Sequence, residues 1–117
     1  MQTKLNKAEK QLVRGNLDML RVEGGDVFSF PDKGVTVAIA PAFPGSRMAM
    51  AAVAIAAPTE KKFRKLVGVN QAMCKHENGE GVQMMLPPEF WEESTDDARL
   101  SLANMADALA CAVHWQQ

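Results

Sequence analysis

Hydrophobic positions recur at spacings of three and four over residues 4–23, at Leu5, Ala8, Leu12, Val13, Leu17 and Leu20. That period predicts an amphipathic helix, ended by Gly24-Gly25. Thr3 or Asn6 would cap its start, the latter with Glu9 three residues on as a capping box. Lys4, Lys7, Gln11, Arg14, Asp18 and Arg21 make the opposite stripe, mostly basic, as the solvated side of such a helix would be. The period then falls to two. Asp26 to Phe30 alternates around Val27, Phe28 and Phe30, and Pro31-Asp32-Lys33-Gly34 is a turn, because proline presets one dihedral and glycine tolerates positive φ. Val35, Val37 and Ile39 alternate with Thr36, Ala38 and Ala40 until Pro41 and Pro44-Gly45 break the run.

The third strand, Arg47 to Ala57, is apolar on both faces, with Met48 and Met50 on one side and Val53 and Ile55 on the other. A strand of that kind must be covered twice, so it is expected at the centre of the sheet with a helix above and a further layer or a partner below. Pro58, Thr59 as N-cap and Glu60 open a second helix over about 60–76, with Phe63, Leu66, Val67, Asn70, Met73 and Cys74 on its apolar stripe. Lys61, Lys62, Arg64, Lys65 and His76 fall on the other side. Asn78-Gly79 ends this helix, and Gly81 to Leu86 reads as a short strand halted by Pro87-Pro88. Gly68 and the β-branched Val67 and Val69 weaken the helix, which leaves open a hairpin of Val67 to Lys75 with Val82 to Leu86, turning at His76 to Gly81.

The last helix has the clearest start: Ser94 or Thr95 caps it, and Asp96 and Asp97 meet the positive end of its dipole. Ala98, Leu102, Met105, Ala106, Leu109, Ala112 and Val113 form one apolar face, while Leu100, Ala103, Cys111 and Trp115 lie off it. A surface helix needs only one apolar stripe, so the second patch predicts burial against something further, and homodimerisation is the expectation. No repeat or linker divides the chain. Residues 1–117 are therefore expected to form a single α+β domain of order α-β-β-β-α-β-α, with a mostly antiparallel sheet because the connections between its first strands are short.

Composition fits this picture: 117 residues, 47% hydrophobic and 23% charged, suffice for a core without disulfides or metal. The charges are segregated. Residues 1–65 carry eleven Lys/Arg against six Asp/Glu, and residues 66–117 carry two against eight, so +5 is followed by −6 within a net charge of −1. A bipolar surface of this kind suits an acidic partner or a second copy. The charged N-terminal stretch has no apolar signal core, the longest apolar run of ten residues is about half a bilayer span, and two cysteines without a signal read as reduced thiols. Cytoplasmic localisation without membrane contact is the expectation.

Chemistry is weakly marked. Cys74, His76, Cys111 and His114 are arranged as C-x-H and C-x-x-H, which invites zinc. On a helix, however, Cys74 and His76 point about 200° apart, with Cys74 on the core stripe and His76 toward solvent, and only the hairpin would converge them. No third group marks either thiol as an activated nucleophile. Glu89, Glu92, Glu93, Asp96 and Asp97 are accounted for by capping, and the glycines match neither the phosphate loop nor the dinucleotide fingerprint. No catalytic residue, metal or cofactor is expected, and an enzyme or a zinc-binding domain ranks last.

What remains is binding. Lys61, Lys62, Arg64 and Lys65 would carry electrostatic contacts to an acidic protein or, as the second choice, to nucleic acid, although no recognition motif and no tyrosine stacking platform accompany them. Phe90 and Trp91 after Pro87-Pro88 would anchor a protein partner or act as a lid over the core edge. Met48 and Met50 offer an adaptable apolar face, and Leu100, Cys111 and Trp115 are the expected self-interface. The order of elements resembles that of the dimeric class I chaperones of type III secretion, which bind an extended segment of a client. The resemblance is one of layout across the chain, without a shared motif, and the basic N-terminal half departs from the acidic character usual there. Size and lack of motifs equally suit a small phage-borne inhibitor of a host defence complex. The expected function is thus a non-catalytic protein-binding module acting as an adaptor, client chaperone or inhibitor, with a nucleic-acid-binding regulator as the alternative.

Overall fold

The computed structural model describes residues 5–56 and 64–115. The elements are α1 (Lys7–Val22), β1 (Asp26–Phe30), β2 (Val35–Pro41), β3 (Met48–Ile55), α2 (Lys65–Glu77), β4 (Val82–Met85), a 3-10 turn (Phe90–Glu92) and α3 (Thr95–Trp115). Their order is α-β-β-β-α-β-α in one compact α+β domain. The sheet runs β1-β2-β3-β4 and every neighbouring pair is antiparallel. Val67 to Lys75 is helical, so the alternative hairpin is excluded, and β4 instead pairs with β3, Met84 opposite Ala49.

Strand alternation sends the two residue parities to two cores. Val35, Val37, Ile39, Ala49 and Ala51 pack with Leu102, Ala106 and Ala110 of α3. On the other face Val27, Ala38 and Ala54 pack with Val13 of α1 and Val67, Val69 and Ala72 of α2. β2 is buried along its whole length because both faces are covered, which explains its lack of a polar register. β3 is also internal, but only its alanines are deeply buried. Ile55 and, opposite Ala51, Val82 of β4 remain exposed, so the face of β3 and β4 beyond α3 is open.

Helix ends follow local chemistry. Asn6 caps α1: its side chain accepts from the Glu9 amide at 2.8 Å and its own amide donates to Glu9 Oε1 at 3.1 Å. Both α1 and α2 close with glycine at positive φ, Gly24 at 93° and Gly79 at 76°. The following amides reach back to Leu20 and Lys75 carbonyls, the Schellman pattern. Ser94 caps α3 through the Asp97 amide, 3.2 Å away. The expected caps Thr3 and Thr59, like Pro58, Glu60 and Phe63, lie outside the described residues.

Both first helices are rotated from the expected orientation. α1 buries Val13 and half-buries Leu17 and Leu20, leaving Ala8 and Leu12 in solvent. α2 turns Val67, Gly68, Val69 and Ala72 inward, so that His76 is half-buried and Cys74 exposed, the reverse of the expected pair. Each helix has more apolar positions than one stripe holds, and on α2 the sheet beneath selects the smaller ones, which allow close approach. No helix among the described residues is long and apolar enough to cross a membrane.

Candidate functional site

The Pro87-Pro88 turn delivers Phe90 into the α3-side core and Trp91 onto the rim. The rings meet edge to face, centroids 5.2 Å apart, and the Trp91 indole donates to the Ser46 carbonyl at 2.7 Å. Ser46 in turn exchanges two hydrogen bonds with the Met48 backbone, so Trp91 pins the β2–β3 loop. Phe90 is thereby buried, while Trp91 closes over the core edge and keeps 40% of its surface exposed. Trp91→Phe is expected to lower stability by about 1–2 kcal/mol through the lost hydrogen bond and part of the ring contact, measurable by urea denaturation.

The other expected binding residues are dispersed. Met48 and Met50 are half-buried, and His76 donates to the Met50 carbonyl from α2 at 3.1 Å. Arg64 and Lys65 are exposed at the start of α2, while Lys61 and Lys62 lie outside the described residues. Leu100 and Trp115 stand 59% and 86% exposed on the outer side of α3, with half-buried Cys111 between them. Cys74 and His76 belong to the helix layer on one face of the sheet, and Cys111 and His114 to α3 on the other. The two motifs therefore cannot share one metal ion, and no group of three His, Cys, Asp or Glu side chains able to hold a metal occurs among the described residues.

Sequence reasoning missed the principal polar constellation. Asp26, only 2% exposed at the start of β1, accepts from Arg21 Nε of α1 at 3.0 Å, from Arg99 Nε of α3 at 2.5 Å and from the Val27 amide at 2.8 Å. Arg99 also lies over the Phe28 ring, 5.6 Å from its centroid. Burial pushes the Asp26 carboxyl up, but the bonds from Arg99, Val27 and Arg21 and the charge of Arg21 outweigh it, and the net shift is downward. A carboxylate held charged by two arginines is a poor proton acceptor, so this is a clamp between layers, not a base. Its signal in the sequence was slight: Lys75 and Arg99 are the only basic residues in the acidic half, and both make tertiary contacts, Lys75 to the Val53 carbonyl. A cavity of about 360 Å³ lies over the clamp, lined by Arg21, Arg99, Trp91 and Glu93.

No protein-family model, curated protein or solved structure matches this chain.

A second feature was hidden by the rotation of α1. Its outer side presents Leu12, Met19 and Val22 at 66%, 65% and 88% exposure, with exposed Ala8 and Gly15 completing the line. Next to it, α1 and α2 enclose a groove of about 380 Å³ lined by Met19, Leu20, Met73, Cys74, Glu23 and Glu77.

Proposed function

We propose that the chain is a non-catalytic protein-binding module that forms a homodimer and acts as an adaptor, client chaperone or inhibitor. One observation carries the reading: α1 and α3 each spend one apolar stripe on the core and carry a second one outward, on ordered helix faces and not on loops. Apolar surface organised in this way is stabilised by a further protein layer. The Asp26 clamp supports the non-catalytic part, since its polar groups are consumed in holding three elements together.

The dimer is assigned to α3, through Leu100, Cys111 and Trp115. Light scattering coupled to size exclusion is expected to give a dimer whose mass is independent of salt. Leu100→Glu is expected to give a folded monomer whose melting temperature falls only by the association free energy lost, because the side chain lies outside the monomer's core clusters. A wild-type monomer at the same concentration would sink the α3 dimer.

A further inference from the structure

We infer that the outer face of α1, together with the groove it forms with α2, is the docking site for a basic amphipathic helix of another protein. The inference rests on the protein-binding reading and assigns its partner. Ala8, Leu12, Gly15, Met19 and Val22 recur at spacings of four, three, four and three, the seam of a heptad pattern. Every one of them is exposed, and a Cβ built on Gly15 meets nothing within 4 Å. The seam is four turns long, about 21 Å at 1.5 Å per residue, which matches a partner helix of about fifteen residues. Gly15 at its centre and Ala8 at its N-terminal end allow close approach, while Met19 and, across the groove, Met73 adapt to the side chains they receive.

Charge decides the occupant. On the side facing α2 the seam is flanked by Glu9, Asn16 and Glu23, and α2 adds Glu77 to the same groove. On the other side stand Gln11 and Asp18, with Asp18 3.9 Å from an Arg21 nitrogen and the basic Lys7 and Arg14 a step further round. A partner helix laid on the seam therefore meets mostly carboxylates at the positions that set pairing. A second copy is the wrong occupant. Antiparallel packing of two such seams sets Glu9 of one copy against Glu23 of the other, and parallel packing sets Asp18 against Glu23. Each arrangement repels, whereas lysines or arginines flanking an apolar stripe complement the rim. The acidic rim disfavours a nucleic-acid backbone for the same reason.

The test uses two labelled, end-capped sixteen-residue model peptides with leucine at the seam positions, one flanked by lysines and one by glutamates, read by fluorescence anisotropy against the full-length protein. The lysine peptide is expected to bind saturably and at least about tenfold more tightly than the glutamate peptide. Leu12→Asp and Met19→Gln are each expected to weaken it about tenfold or more at unchanged melting temperature. Leu12→Asp adds a negative charge, so a loss there reports apolar contact and not general attraction to an acidic protein. Double reversal, Glu23→Lys with Glu77→Lys, is expected to shift preference toward the glutamate peptide. Equal binding of both peptides, or binding untouched by Leu12→Asp, overturns the inference. Loss on Leu100→Glu instead would keep the protein-binding reading and move its site to α3. Self-association abolished by Leu12→Asp would make the occupant a second copy, which also overturns the inference.

Discussion

Asp26→Ala is expected to lower stability at neutral pH by about 3 kcal/mol, a large part of what a domain of this size has to lose. The substitution strips the partner from Arg21 and Arg99 at once and leaves the Val27 amide without its acceptor. Removing one member of a buried ion pair costs about 3–5 kcal/mol, but both arginines are roughly half exposed and can turn their guanidinium groups to water, which holds the cost to the lower part of that range. Urea denaturation at pH 7 measures the loss directly. The pH dependence gives an independent check. The folded-state carboxyl titrates below the ordinary aspartate value of 3.8, so between the two values the unfolded chain binds a proton that the folded one does not. The contribution of Asp26 is therefore complete above about pH 5, declines as pH falls through the window below 3.8, and is gone once the folded carboxyl is protonated. The stability difference between wild type and Asp26→Ala should shrink accordingly in acid. A difference that stays constant from pH 7 to pH 3 would mean that charge is not what the clamp supplies.

Gly25→Ala is expected to be similarly damaging, at about 3 kcal/mol or more, for a purely steric reason. A Cβ at Gly25 would sit 2.6 Å from Ala40 Cβ, 2.7 Å from the Ile39 carbonyl oxygen and 3.0 Å from Ala40 Cα. These neighbours belong to β2, buried on both faces, so relief requires moving the strand or lifting the end of α1. Gly15→Ala, inside α1, supplies the control. Nothing lies within 4 Å of its Cβ, and alanine is the better helix former, so it is expected to stabilise the protein by about 0.5–1 kcal/mol. Opposite signs for two Gly→Ala changes ten residues apart, measured by thermal and urea unfolding, would confirm that the α1–β1 connection approaches β2 as closely as described. A neutral Gly25→Ala would contradict it.

The dimer and the α1 docking face make separable demands. Leu100 lies on the outer side of the layer packed over one face of the sheet, and Leu12 on a helix of the opposite layer. Single substitutions at these exposed positions should therefore affect their own interface without unfolding the domain or disturbing the other.

Local chemistry was legible in the residues themselves. The capping box of Asn6 and Glu9, the Gly24 and Gly79 stops, the Pro31 to Gly34 turn and the period-two runs of β1 and β2 each act over a few residues, and together they determined the order of elements and the antiparallel meander. The two-sided apolar character of β3 likewise announced an internal strand. Which side of α1 and α2 faces inward was not determined locally, because both helices have enough apolar positions for two different stripes and the choice depends on the sheet they meet. Tertiary packing put Val13, Val69 and Ala72 against the small side chains of the strands and left Leu12, Met19 and Cys74 outside. It also brought Arg99 to Asp26 across 73 residues of chain, a pairing that no local spacing could signal. Local propensity sets what each segment becomes, whereas orientation and long-range pairing are settled by the free energy of burial shared among segments that are distant in sequence.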